Sequence, residues 1–241
     1  MEYSNFISNL HTAFDENGMA NLVSDTAAKK LCDFANILIE TNKSFNLTAI
    51  TDENEIILKH FVDSASIIKH IPQNASVIDI GCGAGFPSLP LSILREDIEC
   101  VAIDSTEKKI NFINSTARQL DVKNISAKCI RAEDYAKEAR ESFDVATSRA
   151  VARLNILDEL CIPFIKVGGF FVAMKSSRGS LELDEAKNGI NILGARLNQQ
   201  ESLSFAYSNN KIEREIFVFE KTRSTPLKYP RNYSQISKKQ L

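Results

Sequence analysis

Three glycines follow a short apolar run that ends in an acid, in the segment Val77-Ile78-Asp79-Ile80-Gly81-Cys82-Gly83-Ala84-Gly85-Phe86-Pro87. Glycine tolerates positive φ and lets a ligand lie directly against the main chain. Three of them at the end of a buried strand predict a cofactor on a strand-to-helix turn. The spacing is Gly-x-Gly-x-Gly, not the Gly-x-Gly-x-x-Gly of dinucleotide enzymes. It therefore favours S-adenosylmethionine (SAM) over a nicotinamide cofactor.

The composition suits a soluble α/β protein. The chain has 241 residues, of which 44% are hydrophobic and 25% are charged, and this length predicts one large domain with a small extension. No window approaches 18 uninterrupted apolar residues, and the N-terminus lacks the pattern of a signal peptide. The five cysteines contain no close pair, so we predict neither disulfides nor a metal site. We expect a reduced cytoplasmic protein without membrane contact, and a monomer because no exposed apolar stripe stands out.

Short strands alternate with helices from residue 75 onward. We predict strands over residues 77–80, 98–103, 125–130, 143–148 and 170–174, the last entered through a tight turn at Gly168-Gly169, and helices over 87–94, 107–120, 154–165 and 181–192. Two final strands, 202–207 and 214–220, are too close together for a crossover helix and predict an antiparallel hairpin. The fold class is therefore α/β: a class I SAM-dependent methyltransferase (Rossmann-like) with a mostly parallel seven-stranded sheet.

Three regions are predicted along the chain. Residues 1–72 form an N-terminal helical extension, since apolar residues recur there at helical spacing. Residues 73–222 form the SAM-binding domain. Residues 223–241 form a basic tail that packs on this domain or extends it.

Two acids at predicted strand ends are candidate cofactor ligands, because ligands of open α/β sheets bind at the carboxyl ends of the strands. Gly81, Gly83 and Gly85 are expected to approach the methionine part of SAM. Asp79 either bonds the cofactor amine or caps the loop. Asp104 either accepts hydrogen bonds from both ribose hydroxyls or caps the helix that follows it.

Charge is distributed unevenly, although the formal net charge is only −2. Residues 1–60 hold nine acids and four lysines, whereas residues 221–241 hold six basic residues and no acid. Such a tail predicts either contact with a polyanion or a solvated terminus. If it binds RNA, deleting residues 226–241 should weaken RNA binding and leave SAM binding intact.

Most of the chain resembles the family of small-subunit ribosomal RNA methyltransferase G proteins, also called glucose-inhibited division protein B. The glycine turn alone is generic, but the ordered set of motifs is specific. Besides that turn, the motifs are Asn42-x-x-x-Asn46-Leu47-Thr48, His60-x-x-Asp63-Ser64, Asp104-Ser105 with Lys108-Lys109, Arg131-Ala132-Glu133, Ser148-Arg149-Ala150-Val151-Ala152, Tyr229-Pro230-Arg231 and Lys238-Lys239 before the final leucine.

The resemblance implies SAM-dependent methylation of N7 of a guanine in 16S ribosomal RNA. The substrate is either the free RNA or the assembled small ribosomal subunit. It implies that Gly81 and Phe86 line the cofactor, that Ala132 and Glu133 meet its adenine, and that Arg149 closes the pocket near the reacting centre. Arg149 is thus the candidate catalytic residue, and it contacts guanine, phosphate or the SAM carboxylate, or forms a structural ion pair. Candidate RNA contacts, each with packing or solvation as its alternative, are Asn46, His60, Lys108, Lys109, Lys228, Arg231, Lys238 and Lys239.

The chemistry of N7 methylation agrees with the residues present. Guanine N7 carries a free lone pair, so the reaction requires positioning rather than a general base. The segment Thr147-Ser148-Arg149-Ala150 lacks the Asn/Asp-Pro-Pro-aromatic pattern of amino-group methylases. Cys161 precedes Pro163 in the wrong order for a pyrimidine C5 nucleophile and is predicted to be a buried helix residue. A small-molecule methyltransferase and a non-catalytic SAM-binding regulator remain alternatives.

Overall fold

A single seven-stranded sheet organises the protein. The computed structural model describes residues 2–149, 152–177 and 179–241. Its strands are β1 (Ser76–Ile80), β2 (Glu99–Asp104), β3 (Ile125–Cys129), β4 (Phe143–Arg149), β5 (Ile165–Ser176), β6 (Ala195–Tyr207) and β7 (Asn210–Lys221). They lie in the order β3-β2-β1-β4-β5-β7-β6.

Strand directions agree with the sequence-based prediction. Strands β1 to β5 pair in parallel, whereas β7 pairs antiparallel with both β5 and β6. The predicted mostly parallel sheet with a C-terminal antiparallel hairpin is confirmed. Because β1 and β4 are neighbours, and β2 lies on the other side of β1, the carboxyl ends of these three strands meet at one edge.

Helices cover both faces of the sheet. They are α1 (Tyr3–Glu16), α2 (Asp25–Asn42), α3 (Glu53–Ile56), α4 (Asp63–Ala65), α5 (Ser88–Leu94), α6 (Glu107–Gln119), α7 (Ala132–Tyr135), α8 (Leu154–Cys161), α9 (Gly179–Leu193) and α10 (Tyr233–Lys238). A π-helical turn, Ile57–Val62, joins α3 to α4. No helix within the described ranges is long and apolar enough to cross a membrane.

The core consists of two apolar layers, one on each face of the sheet. On one face, Phe6, Leu31 and Phe34 of the N-terminal helices share a cluster with Val77 of β1. On the other face, α8 and α9 pack against the sheet together with Ile236 of the C-terminal segment. The division of the chain at residues 72 and 222 stays a prediction, but helices from both flanking regions contribute to these layers.

Two predicted boundaries around β5 are wrong. Helix α8 ends at Cys161 instead of residue 165, since Pro163 lacks the N–H that would continue the helix. Strand β5 begins at Ile165 and already contains Gly168 and Gly169, where a tight turn was expected. Gly168 has a φ of +89°, and a side chain on Gly169 would lie 2.5 Å from the Asp144 carbonyl oxygen. The glycines thus form an irregularity within the β4–β5 pairing, not a turn before it.

Candidate active site

The glycine turn adopts the backbone that its sequence predicts. Gly81, Gly83 and Gly85 have φ values of +72°, +57° and +92°, which L side chains rarely adopt. The N–H of Gly81 donates to the Ile103 carbonyl over 2.8 Å, so the turn is attached to the end of β2. A Cβ on Gly83 would meet no atom within 4 Å. The main chain at Gly83 therefore borders open space that a ligand can occupy.

Asp104, the last residue of β2, holds the glycine turn. Its Oδ2 accepts from the N–H of Gly83 over 3.2 Å, and its Oδ1 accepts from the N–H of Thr106 over 2.9 Å. Lys109 places its Nζ 3.6 Å from Oδ2. The N-cap position of α6 is Thr106 and not Asp104. The carboxylate thus stands beside the turn with acceptor capacity left for a ligand.

A cavity of about 150 Å³ connects these groups. It lies at the carboxyl ends of β1 and β2 and at the start of α7. The lining residues are Ile80, Gly81, Ile103, Asp104, Ser105, Ile130, Arg131, Ala132, Glu133, Leu160 and Tyr233. Four residues that the sequence singled out, namely Gly81, Asp104, Ala132 and Glu133, are therefore brought together.

Asp79 is buried behind the turn. Its Oδ2 accepts from the N–H of Ser88 over 3.3 Å, and among the described residues its Oδ1 has no hydrogen-bond partner. Burial raises the pKa of this carboxyl to about 6. A buried acceptor without a partner fits the ammonium group of SAM, as the open main chain at Gly83 and the Asp104 carboxylate fit its remaining polar groups.

Phe86 and His60 form a stacked pair next to the turn. Their ring centroids are 4.1 Å apart with an interplanar angle of 15°. His60 lies in the π-helical turn, a feature that is frequent at functional sites, and its Nε2 contacts the Thr48 hydroxyl over 3.1 Å. Burial, with repulsion from Arg149 as the next cause, lowers the pKa of His60 to about 3. The imidazole is therefore neutral at neutral pH.

The asparagine motif orders the loop in front of His60. Oδ1 of Asn42 accepts from the N–H groups of Leu47 and Thr48 over 2.7 and 3.0 Å. Its Nδ2 donates to the Thr48 carbonyl over 2.9 Å. Asn42 thus has a structural role, whereas Asn46 is exposed on the same loop.

Arg149 ends β4 and points into a buried network. Its Nη1 donates to Oδ2 of Asp63 and to the Lys59 carbonyl, both over 2.9 Å. Its guanidinium lies 5.1 Å from the centroid of the Phe86 ring, and Nη2 lies 3.4 Å from Nδ1 of His60. Residues of two sequence motifs, His60-x-x-Asp63 and Ser148-Arg149, thus meet here. Ala150 and Val151 of the second motif lie outside the described residues.

Arg214 is a member of this network that the sequence motifs did not indicate. Its Nε donates to Oδ1 of Asp63 over 2.8 Å, and its Nη2 donates to Oδ2 over 3.2 Å. Asp63 has no solvent exposure and so lies between two guanidinium groups. Arg214 is 151 positions away from Asp63, and no local pattern marked it.

The candidate RNA contacts differ in their surroundings. Lys108, Lys228, Lys238 and Lys239 are exposed, and Lys109 is partly buried near Asp104. Arg231 instead pairs with the buried Glu159 carboxylate, with its Nη2 2.6 Å from Oε2. Its predicted contact with phosphate stays a prediction, but the structure gives this guanidinium an intramolecular partner.

No cluster of three or more His, Cys, Asp or Glu side chains that could hold a metal ion occurs within residues 2–149, 152–177 and 179–241. Asp63 binds two guanidinium groups, whereas Asp79 and Asp104 accept from backbone N–H groups and keep acceptor capacity for a ligand. The acidic groups near the cavity suit a cationic organic cofactor.

The fold and this site define a SAM-dependent methyltransferase. The chain is similar in fold to M. jannaschii TYW2 in complex with AdoMet, with 15% identity, a TM-score of 0.54, and 66% of this chain and 75% of that chain covered. It is also similar to precorrin-6y C5,15-methyltransferase from Geobacter metallireducens, with 12% identity, a TM-score of 0.52, and 74% and 92% of the two chains covered.

The particular family follows from the sequence comparisons. Residues 27–212 match the family described as rRNA small subunit methyltransferase G. The chain is 44% identical over 212 residues to ribosomal RNA small subunit methyltransferase G of Staphylococcus aureus, covering 87% of this chain and 88% of that relative. The chain belongs to the rRNA small subunit methyltransferase G family, and the predicted family is confirmed.

Proposed function

We propose that this protein transfers the methyl group of SAM to N7 of one guanine in 16S ribosomal RNA. Family membership supports small-subunit ribosomal RNA as the substrate. One observation carries the choice of N7: the two titratable side chains that contact Arg149 are unsuited to removing a proton. His60 is neutral and buried with a pKa of about 3, and Asp63 is bound by two guanidinium groups.

In this proposal the cofactor is held by residues of the cavity, by the glycine turn next to it and by Asp79, which is buried behind that turn. Asp104 accepts hydrogen bonds from the ribose hydroxyls, and the unpartnered oxygen of Asp79 accepts from the amine. The glycine turn provides close main-chain approach, while Ala132 and Glu133 border the adenine. Bound SAM supplies a methyl group on a positively charged sulfur. Phe86, which is buried between His60 and Phe34, stabilises the wall behind the turn.

N7 attack needs alignment more than acid–base chemistry. The N7 lone pair is free, so no proton leaves guanine before the methyl group is transferred. Holding two reactants in line contributes about 7–11 kcal/mol to such reactions. Arg149 lies at the end of β4, and Ser148 before it donates to the Ile80 carbonyl over 2.8 Å, which joins β4 to the start of the glycine turn. We assign Arg149 the role of positioning the guanine.

RNA approaches, in this proposal, the edge of the sheet that carries Asn46, Lys108 and Lys109. The exposed tail lysines Lys228, Lys238 and Lys239 contact phosphates, since lysine neutralises the RNA backbone in a salt-dependent manner. His60 supports Phe86 and Arg149 from behind, because it is buried. We also propose that the protein is cytoplasmic and acts as a monomer. Sedimentation at working concentration tests the oligomeric state.

Methyl transfer tests this function. Labelled SAM is supplied with small-subunit ribosomal RNA that lacks modification, either free or as assembled subunits, and the product is mapped by cleavage at 7-methylguanine. We expect label at one guanine and loss of label with Asp104→Ala. If SAM binds but neither form of RNA accepts label, the proposal is wrong, and a small-molecule acceptor or a non-catalytic SAM-binding role takes its place.

A further inference from the structure

The last twenty residues follow a fixed path across the protein. We call residues 222–241 the C-terminal strap. The family match ends at residue 212, so the strap lies outside the matched part of the chain. It leaves the end of β7, crosses the side of the molecule where α7 and α8 lie, and reaches the cofactor cavity through α10.

Two cations, the buried Lys221 and the partly exposed Arg140, fix the first half of the strap. Lys221 is fully buried, and its Nζ donates to the Ile162 carbonyl over 2.9 Å and to the Thr225 hydroxyl over 2.7 Å. Arg140 donates through Nη1 to the Tyr229 carbonyl over 2.6 Å and through Nη2 to the Thr225 carbonyl over 2.5 Å. The bonds from Arg140 use main-chain oxygens of the strap, so they set its course and not merely the position of one side chain.

The second half is fixed by Glu159 and by apolar burial. The Glu159 carboxylate accepts from the backbone N–H of Arg231 over 2.7 Å and from its guanidinium over 2.6 Å. Ile236, one turn into α10, is completely buried against the layer that contains α8. The strap is therefore part of the packed structure rather than a solvated tail.

Tyr233 is the point where the strap meets the cavity. Its N–H donates to Oε1 of Glu133 over 3.2 Å. It lines the cavity together with Asp104, Ala132 and Leu160 and remains 41% exposed. The residue thus borders the cavity while part of it faces solvent, which is the position of an outer wall.

We infer that the strap forms the outer wall of the adenine end of the SAM pocket, and that Tyr233 retains the cofactor by packing its ring against the base. The inference rests on the proposed function for the identity of the cavity. Aromatic rings contribute substantially to binding of nucleobases because every base offers a π-face. The sequence alone suggested only RNA as a ligand of this tail, because an adenine contact by Tyr233 requires a fold that brings residues 133 and 233 together.

Tyr233→Ala tests the inference directly. We expect it to raise the Kd for SAM by about tenfold, whereas Tyr233→Phe keeps the ring and stays within about twofold of wild type. Ser237→Ala, on the exposed side of the same helix, is the matched control and should leave the Kd unchanged. Calorimetry gives the affinities, and thermal unfolding verifies that each variant is folded.

Adenosine is the second probe, because it contains the base and ribose but no methionine part. If Tyr233 forms a wall at the adenine end, Tyr233→Ala should raise the Kd for adenosine and the Kd for SAM by the same factor. If Asp104→Ala weakens SAM while Tyr233→Ala does not, the inference is overturned and the proposed function survives. The inference is also overturned if Tyr233→Ala weakens the binding of SAM but not the binding of adenosine. If the wild-type protein binds no SAM, the proposed function itself fails.

Discussion

The guanidinium of Arg149 donates to the carboxylate of Asp63 over 2.9 Å, and this ion pair joins the end of β4 to the helical segment that contains the π-turn. Asp63 is fully buried and also accepts from Arg214. The guanidinium of Arg149 therefore has a fixed direction, because the carboxylate that it binds is buried. Two positive charges and one negative charge leave this network of three side chains with a net charge of +1.

Arg149→Ala is expected to lower methyl transfer at least about 100-fold, since a preorganised cation at the reacting centre is lost. Stability should fall by about 1–3 kcal/mol, because Arg214 still neutralises Asp63. Methyl-transfer kinetics and denaturant unfolding separate the two effects. Arg153→Ala, which removes an exposed arginine paired with Glu185, is the matched control. Wild-type turnover in folded Arg149→Ala would contradict the assigned role.

Asp79→Asn is expected to stabilise the cofactor-free protein at pH 8 by about 3 kcal/mol. The pKa of Asp79 is raised from 3.8 to about 6 by burial, and a difference of one in pKa corresponds to about 1.4 kcal/mol. A raised carboxyl pKa means that the native state favours the protonated form. Its stabilisation is complete below about pH 4 and is lost as the pH rises through 6. Asparagine imitates the protonated form at every pH.

Denaturant unfolding of both proteins from pH 4 to pH 8 measures this difference. The gain from Asp79→Asn should be near zero at pH 4 and reach its full size above pH 6. His60, whose pKa is lowered to about 3, destabilises both proteins as the pH falls below 6.5, so its contribution cancels. The same substitution should weaken SAM binding about tenfold. A pH-independent difference would contradict the assignment of this buried charge.

Asp104→Ala is expected to weaken SAM binding at least about tenfold, since charge-assisted hydrogen bonds contribute about 1.5–3 kcal/mol each. The substitution also removes the acceptor for the Gly83 N–H, so the glycine turn loses its tether. Asp184→Ala removes an exposed carboxylate on α9 and is the control. Calorimetry with SAM measures the effect, and an unchanged Kd would rule out the ribose assignment.

The exposed strap lysines should contribute to RNA affinity without affecting SAM. Replacing Lys228, Lys238 and Lys239 together with glutamine should reduce the slope of log K against log salt concentration by about 3. A charge-matched variant with glutamine at Lys123, Lys187 and Lys211, which are exposed elsewhere, is the control. Titrations of RNA at several salt concentrations measure both slopes. If the two variants have equal slopes, the tail lysines do not contact RNA phosphates and serve solubility instead.

Arg231→Gln should affect stability more than RNA binding. The substitution leaves the buried Glu159 carboxylate without its guanidinium partner, which costs about 3 kcal/mol. We therefore expect a lower denaturation midpoint and a salt slope close to that of wild type. If Arg231→Gln leaves stability normal but reduces the slope of log K against log salt concentration as much as the loss of Lys238 does, Arg231 contacts a phosphate.

Local patterns predicted most of the sheet and part of the site. The strand-to-helix turn at Gly81, the acid at the end of β2 and the closing hairpin each follow from residues close in sequence. The motifs also identified the family through His60, Asp104 and Arg149. Boundaries near β5 were wrong because the irregular pairing at Gly168 depends on a neighbouring strand. The expectation that SAM binding does not depend on residues 226–241 stays a prediction, and the contact that we propose between Tyr233 and adenine predicts the opposite.

The sequence alone determined the class of fold, the cofactor and the family. The spacing of the glycines, the hydrophobic period and the ordered motifs are local features, so they can be recognised without knowing which residues are in contact. Only the tertiary structure decided which of these residues act together. Asp63 meets Arg149 and Arg214, Glu159 binds Arg231, and Glu133 meets Tyr233 across 72 to 151 positions of chain. Such partners are selected by the packing of elements around one sheet, and burial then turns ordinary mobile charges into fixed ones.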